Sequence, residues 1–319
     1  PIQSVVCYEG AQTIVGRAAK ERLSQAGLGV QRNIIRSPKM YLGRDSVFVE
    51  GVERSPISVV ADVVQHVVDV ATASRGREMG EVDGAVVTIP VDMEGYRRHA
   101  LREAFNLAGM RILQFVHEPL AALYGFFRGR DLEAMIRQYD KKLVLVFDWG
   151  GGTLDLTLCR PVGNTVVQVK NDGTDEVGGD VFDETLMNSL VQKVSKIRGL
   201  DENVEIQPQA KARLMDRCER AKIDLSNRSN VSIYVGSFFR GEEDDDFDYS
   251  LSQNELEHIV SPLLDKGFNR IKKVLSDAGY EPEQVALCIA TGGMSNMPAV
   301  RQRLHEWFGP ERVQVPDGT

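Results

Sequence analysis

The sequence has 319 residues, of which 42% are hydrophobic and 26% are charged, and its formal net charge at pH 7 is -8. This length corresponds to roughly two domains, and the composition is that of an ordinary globular protein. The acidic balance offers no field that would attract a polyanion, so no nucleic-acid partner is expected. No uninterrupted apolar run approaches the roughly 20 residues that cross a membrane, so no membrane partner is expected either.

The cysteines lie far apart and form no pair with metal-binding or redox spacing; they are Cys7, Cys159, Cys218 and Cys288. This pattern suits a reducing compartment and predicts a cytoplasmic protein. The sequence begins with Pro1 rather than methionine, and we expect it to be a piece of a longer product.

Predicted strands and helices alternate along the chain, which indicates an α/β fold. Apolar residues at helical spacing predict helices over about 56–74, 96–108, from 120, 181–197, 211–225, 256–278 and after Pro298. Short apolar runs predict strands over about 85–89, 111–116, 143–147 and 285–290, and alternation predicts an edge hairpin over 229–239. An acidic loop is expected at 242–248.

The strongest predicted strand, 143–147, leads directly into Asp148, and Gly150–Gly152 and Thr153 follow before the chain alternates again as a second strand. Backbone amides of such a glycine-rich turn can form a nest that holds phosphate. A carboxylate beside that nest is favourable when a divalent cation such as Mg²⁺ lies between them. The alternative is a plain hairpin turn. A Walker loop is excluded, because no GK[ST] and no helix follow.

Glu118 follows a predicted strand and precedes Pro119, so the chain turns there. A carboxylate in this position can orient a water molecule or a hydrated metal ion. The alternative is a solvated turn, which is the commoner outcome for a lone Glu-Pro pair.

A predicted helix carries Glu219, Lys222 and Ser226 at spacings of three and four, so they share one face. They could clamp a ribose and a base through hydrogen bonds, although such a face is also typical of surface salt bridges. Gly292–Gly293, between a buried strand and a helix, could let the backbone approach a nucleotide closely.

Taken in order, these segments resemble the nucleotide-binding domain of the DnaK-like, seventy-kilodalton heat-shock family of the actin and sugar-kinase superfamily. The resemblance covers nearly the whole chain. The matching stretches are QTIVGRAAKERL, SPKMYLGR, VVTIPVDMEGYRRHALREAFNLAG, HEPLAALYG, VFDWGGGTLDLTL, VGGDVFD, CERAKIDLS and ATGGMSNMPAVRQRL.

The resemblance implies an α/β, two-lobed actin-like ATPase fold, with a ribonuclease-H-like sheet in each lobe and inserted subdomains. Lobe I would span 1–142, with a small subdomain over about 1–55 and the core over about 56–142. Lobe II would span 143–319, with its core over about 143–180 and 260–319 and an inserted subdomain over about 181–259. ATP or ADP with Mg²⁺ would lie at the base of the cleft.

Catalytic roles are implied for Lys39, Glu118, Asp148 and Asp155. Lys39 matches the lysine that reaches the γ-phosphate and the attacking water. Glu118, Asp148 and Asp155 match acidic residues that hold Mg²⁺ through water, and Asp148 also helps to place the nucleophile.

The resemblance also implies a nucleotide-binding set and an allosteric relay. The nucleotide-binding residues are Gly150, Gly151, Gly152 and Thr153 (phosphate loop), Gly178 and Gly179 (ribose), Glu219, Lys222 and Ser226 (adenosine clamp), Gly292 and Gly293 (adenosine-side loop), and Asp317 (ribose side). Pro90 and Arg98 match the proline switch and the relay arginine that couple the nucleotide state to the rest of the chaperone.

The chain departs from the family pattern at several positions. Nothing in it matches the opening strand pair that carries the first phosphate loop, which we expect upstream. Ile223 and Asn296 replace arginines near the base, and Met294 replaces a serine. Trp149 replaces a smaller apolar residue, and the segment over 44–55 is short, so one small subdomain is expected to be trimmed.

The function implied is ATP binding and slow hydrolysis, with the nucleotide state driving lobe rotation and coupling to a peptide-binding domain, a co-chaperone or a client protein. A hydrolysis-deficient nucleotide-binding regulator or scaffold is the alternative. A sugar or metabolite kinase of the same superfamily is less consistent with the helix of CERAKIDLS, and a filament-forming actin relative is equally remote.

Overall fold

The computed structural model describes residues 2–26, 33–49, 51–75, 82, 84–90, 93–127, 132–163, 165–200, 204–206, 208–241 and 245–316. The chain divides into two compact units. Unit 1 comprises 1–118 with 208–213, and unit 2 comprises 119–207 with 214–319. The lobe and subdomain boundaries implied by the sequence remain a prediction.

Among the described residues of unit 1 there are three small sheets, and helices pack on them. Its strands are β1 (Val5–Glu9), β2 (Gln12–Val15), β3 (Ile34–Arg36), β4 (Val47–Val49), β5 (Val52–Arg54), β6 (Gly84–Ile89) and β7 (Arg111–His117). Its helices are α1 (Arg17–Ala26), α2 (Pro56–Arg75) and α3 (Gly95–Leu107), and a 3₁₀ turn covers Pro38–Tyr41.

The sheets of unit 1 pair as β2-β1-β3, β4-β5 and β6-β7. Strands β6 and β7 are parallel, with Ile89 opposite His117, and their inner face packs on α2 and α3. In the described part of unit 1, these two strands form a two-stranded sheet of their own. The short hairpin β4-β5 occupies the segment that the sequence predicted to be trimmed.

Unit 2 is built on one five-stranded sheet. Its elements are α4 (Glu118–Phe127, which begins at the last residue of the unit 1 segment), α5 (Leu132–Tyr139), β8 (Leu143–Trp149), β9 (Leu154–Val162), β10 (Thr165–Thr174), α6 (Gly179–Arg198), α7 (Pro208–Asp224, whose first residues group with unit 1), β11 (Asn230–Val235), β12 (Phe247–Ser252), α8 (Gln253–Asp277), β13 (Val285–Thr291), α9 (Pro298–Phe308) and β14 (Val313–Gln314).

The strand order of this sheet is β10-β9-β8-β13-β14. Strands β8, β9 and β10 are antiparallel neighbours, whereas β8, β13 and β14 run parallel. This mixed order is the ribonuclease-H-like arrangement that the resemblance implied. Strand β8 is buried from Leu143 to Phe147, which explains its continuous apolar run.

Trp149, which the sequence marked as a departure, is fully buried at the end of β8. Its indole N–H donates to the carbonyl of Val177 at 2.6 Å, so the polar atom of this large side chain is satisfied. Phe147, Phe182 and Phe268 surround the ring, with centroid separations of 5.6, 5.7 and 6.3 Å. The indole is therefore part of the core and not of the phosphate loop.

Helix α2 is the single described helix that is long and apolar enough to cross a membrane by length and composition, which is weak evidence for a membrane span. Its Val60, Ala61 and Val64 are buried in the core of unit 1. Asp62, on the same helix, accepts a hydrogen bond from the Tyr8 hydroxyl at 2.6 Å. These contacts are those of a helix that packs on a protein core.

Most of the helices and strands that the sequence predicted agree with the structure to within two residues, whereas α7 and α8 begin three residues earlier than predicted, and the predicted hairpin was wrong. The hairpin expected within 229–239 is formed instead by β11 and β12, with Val235 opposite Phe247. The second strand of the hairpin, 247–252, was not predicted because it begins within the acidic run that was expected to be a loop. It becomes a strand by pairing with β11. Residues 242–244 of that run lie outside the described residues.

Candidate functional site

Two aspartates face each other at the end of the central strand of unit 2. Asp148 on β8 is the direct antiparallel partner of Asp155 on β9. Thr291 on β13 pairs with Asp148 and Gly173 on β10 pairs with Asp155, so a polar row crosses the sheet. The Thr153 hydroxyl donates to Asp155 Oδ2 at 2.7 Å. Directly opposed like charges are unfavourable unless a cation compensates them.

The glycine turn after β8 is braced against the start of α6. The Gly150 N–H donates to the Thr153 carbonyl at 2.9 Å, which closes the turn. The N–H groups of Gly179 and Asp180 donate to the carbonyls of Gly150 and Gly151 at 3.1 and 2.8 Å. These carbonyls are therefore held toward α6, an arrangement that fixes the turn as a rigid loop.

Gly178 makes this close approach possible. A Cβ atom at this position would lie 2.5 Å from the carbonyl oxygens of Gly151 and Gly152, a distance that real contacts essentially never show. A Cβ at Gly179 would lie 3.3 Å from the Gly151 Cα. The two predicted ribose-side glycines thus share one contact region with the predicted phosphate loop.

Gly292, which follows β13, completes the same region. Its φ of 81° lies in the left-handed region that favours glycine. A Cβ at this position would lie 2.3 Å from the Trp149 carbonyl oxygen and 2.7 Å from Asp148 Oδ1. The loop predicted to lie on the adenosine side therefore begins in contact with Asp148 and the end of β8. A Cβ at Gly293, the first residue of the 3₁₀ turn Gly293–Asn296, would meet nothing within 4 Å.

Lys222 links α7 to the start of α6 through a buried ion pair. Its Nζ donates to the Gly179 carbonyl at 3.0 Å and to Asp183 Oδ2 at 2.9 Å, and Asp183 Oδ1 lies 2.8 Å away. The two side chains are only 11% and 5% exposed. Lys222 is therefore brought to the predicted ribose side, but it is already engaged by a carboxylate that the sequence analysis did not single out.

Burial raises the pKa of the Asp183 carboxyl from its ordinary 3.8 to about 6, because the loss of hydration outweighs the attraction of Lys222. The nearby carboxylates of Glu219 and Asp180 act in the same direction. At pH values below 4 the carboxyl is protonated in both the folded and the unfolded chain. Between pH 4 and pH 6 the folded chain retains the proton longer, so this group makes the folded state less stable as pH rises.

We expect the stability advantage of the wild type over Asp183→Asn to fall by up to about 3 kcal/mol between pH 4 and pH 6.5. Asparagine keeps the size of the side chain but does not titrate, so its stability lacks this pH-dependent contribution. Urea unfolding of both proteins across this pH range measures the difference. A difference that stays constant or rises with pH would show that Lys222 keeps Asp183 ionised.

A cavity of about 570 Å³ lies where the end of α7 meets the start of α9. Its lining includes the predicted Ser226, together with Asn296, Pro298 and Arg301. Glu219 lies two turns before Ser226 and is half-buried. Ile223, which stands where the family pattern has an arginine, is 57% exposed. The structure thus places Ser226 and Asn296 at one cavity, whereas Ile223 and Met294 are not among the residues that line it.

Lys39 and Glu118 lie together in unit 1. Lys39 is in the 3₁₀ turn after Ser37, and Glu118 follows β7 directly. The Lys39 ammonium donates to Glu118 Oε1 at 3.1 Å, and both side chains remain partly exposed, at 41% and 31%. Lys39 and Glu118, which are 79 residues apart in sequence, thus form an ion pair that the sequence analysis did not predict.

The remaining predicted positions are placed as follows. Pro90 ends β6 and its carbonyl accepts from the Met93 N–H at 3.3 Å. Arg98 lies exposed on the first turns of α3, where its N–H donates to the Glu94 carbonyl. Asp317 lies outside the described residues.

Sequence reasoning missed two residues of the site. Asp183 is the last residue of the quoted VGGDVFD stretch, and its four-residue spacing from Gly179 on α6 was the available signal. Arg301 had no comparable signal, because its partners become apparent only when α9 is seen to pack beside the loop that precedes it.

The mixed sheet, the opposed aspartates at its end and the glycine loop braced on α6 define an α/β protein with the actin-like ATPase fold. Comparison with known proteins identifies the family within this fold class. A model of the Hsp70 protein family matches residues 2–316. The chaperone protein DnaK of Mycoplasma mycoides subsp. mycoides SC is 30% identical over 318 residues, which cover 98% of this chain and 51% of that protein. The chain belongs to the Hsp70 family, and it spans about half the length of this curated relative.

Proposed function

We propose that this chain is an Hsp70-type nucleotide-binding domain that binds ATP or ADP with Mg²⁺ and slowly hydrolyses ATP. The observation that carries the proposal is the pair of opposed carboxylates, Asp148 and Asp155, beside the braced glycine loop. The curated relative is named a chaperone protein, which supports a chaperone role.

The residues present suit a hydrated magnesium ion. Among the described residues, no group of three or more metal-ligating side chains is found. Mg²⁺ usually keeps several waters and is held by one or two carboxylates together with substrate phosphates, so two aspartates are an appropriate donor set. When bound, the ion would neutralise charge that develops on the phosphoryl oxygens.

The chain itself would contribute positioning. The braced turn Gly150–Thr153 directs rigid backbone toward the phosphates, and in the described part of the chain the Gly151 and Gly152 N–H groups have no protein acceptor. Lys39 is proposed to contact the γ-phosphate and the attacking water, with Glu118 setting the orientation of its ammonium. Asp148 is proposed to accept a hydrogen bond from the attacking water and so to orient it.

The nucleoside is proposed to lie against α7 and the loop after β13. Gly178 and Gly179 are proposed to lie beside the ribose, and a side chain at Gly178 would overlap the backbone of the proposed phosphate loop. Glu219, Lys222 and Ser226 are the proposed polar contacts, and Gly292 and Gly293 approach the nucleoside through backbone. Asp317 remains proposed for the ribose side.

Coupling to other parts of the protein is also a proposal. Pro90 and Arg98 are proposed to relay the nucleotide state to a peptide-binding domain, a co-chaperone or a client protein, and the compartment is proposed to be the cytoplasm. A regulator that binds nucleotide without hydrolysis is the second candidate, favoured by the exposed Ile223 and by the absence of arginine at position 296.

Titration calorimetry with ATP and ADP, in the presence of Mg²⁺ and in excess EDTA, tests the proposal. We expect saturable binding of both nucleotides that is weakened when Mg²⁺ is removed. No heat of binding with either nucleotide, by protein that circular dichroism shows to be folded, would contradict the proposed function.

A further inference from the structure

The described cavity beside α9 has one planar cation fixed on its wall. Arg301 donates from Nε to the Ser295 carbonyl at 3.1 Å and from Nη2 to Asn296 Oδ1 at 2.6 Å. Both partners belong to the 3₁₀ turn Gly293–Asn296, and both lie toward one edge of the guanidinium group. In the described part of the chain these are its hydrogen bonds, and Arg301 is an exposed residue.

The anchor itself is rigid. Ser295 is fully buried, its hydroxyl donates to the Thr291 carbonyl, and its N–H donates to the Gly292 carbonyl at 3.1 Å. Pro298 begins α9 directly after this turn. An exposed arginine usually samples many rotamers, but here a buried turn determines where the guanidinium lies.

Aromatic heterocycles stack on guanidinium planes, and a pre-positioned plane loses little entropy when it does so. The same cavity is lined by Ser226, whose N–H donates to the Ile223 carbonyl at 3.1 Å in the turn that follows α7. A hydroxyl and a proline ring, those of Ser226 and Pro298, thus line the same cavity as the fixed cation of Arg301. This combination suits the flat, apolar faces and polar edge of a nucleobase.

We propose that Arg301 is the base-stacking residue of this chain, held in place by Asn296, and that it replaces the stacking that an arginine at position 223 or 296 would give. The inference rests on the proposed function, because it assigns the base of the nucleotide to this cavity. Asn296 acts as a positioning residue through Arg301.

The test compares the affinity for Mg²⁺-ATP with that for Mg²⁺-tripolyphosphate, which has the phosphates but no base. Arg301→Ala is expected to weaken ATP binding about ten-fold and to leave tripolyphosphate binding unchanged. Arg301→Lys keeps the charge but loses the plane, so it should resemble Arg301→Ala. Asn296→Ala should show a smaller loss with ATP alone.

Arg303→Ala is the matched control. It lies on the same helix, but its guanidinium pairs with Asp265 and packs over Phe268, and it does not line the cavity. Its ATP affinity should equal that of the wild type. Thermal melts of all variants identify any loss of folded protein.

Three outcomes would overturn the inference. If ATP binds the wild type and Arg301→Ala equally well, Arg301 does not stack on the base, although the proposed function stands. If Arg301→Ala weakens ATP and tripolyphosphate alike, its role is structural. If the wild type binds no nucleotide, both the inference and the proposed function fail.

Discussion

Replacing Asp148 with asparagine is expected to slow Mg²⁺-dependent phosphate release from ATP by about a hundred-fold or more. The amide keeps the shape of the side chain but removes the charge that faces Asp155 at the end of β8. The same change is expected to raise the free energy of unfolding in EDTA by about 0.2–1 kcal/mol, since two opposed carboxylates repel each other when no cation is present. Single-turnover kinetics and urea unfolding measure the two effects.

Asp172→Asn provides the control for this prediction. Asp172 lies on β10 of the same sheet, next to Gly173, and its carboxylate is 3.4 Å from Arg270. Its replacement should leave phosphate release unchanged and should not stabilise the protein. Wild-type turnover by Asp148→Asn, or a loss of stability in EDTA, would contradict the role assigned to the aspartate pair.

Gly267→Ala is expected to destabilise unit 2 by about 1–3 kcal/mol, although alanine normally stabilises a helix interior relative to glycine. Gly267 lies on α8 against the indole of Trp149, and a Cβ would lie 2.4 Å from the indole Cη2. Because the ring is fully buried and rigid, it cannot move away at low cost. Urea unfolding measures the change.

Gly125→Ala is the matched control, because a Cβ at this position of α4 would meet nothing within 4 Å. It should stabilise the protein by about 0.5–1 kcal/mol. In Trp149→Leu, which itself loses buried contacts, the added methyl group of Gly267→Ala should be tolerated, so the double variant is less destabilised than the sum of its parts. Additive effects would show that the glycine is not required by the indole.

The elements near the aspartates could be predicted because local sequence determines them. The apolar run of β8 and the glycine turn after it require a hairpin, and a hairpin places Asp148 and Asp155 side by side. The same reasoning predicted α6 and α7 from their periodicity. Local signals also predicted Lys222 on a helix face, whereas Ser226, predicted on the same face, lies in the turn after α7 ends at Asp224.

Long-range packing accounts for what the sequence did not show. Lys222 meets Asp183 only because α7 packs beside the start of α6, and no spacing along the chain encodes that contact. Strand β12 pairs with β11 across an acidic segment whose composition indicates a loop. From the sequence, Trp149 is a substitution in the phosphate loop. In the structure it is a core residue, because Gly267 on α8 leaves space for the indole.

The central claim is that the chain is a nucleotide-binding domain with a slow, magnesium-dependent ATPase. Single-turnover release of phosphate from Mg²⁺-ATP by the complete protein, with no added acceptor, tests it most directly. We predict slow release that Lys39→Ala abolishes, because the lysine held by Glu118 would no longer reach the γ-phosphate. Nucleotide binding without any phosphate release would contradict the ATPase and leave a nucleotide-sensing scaffold.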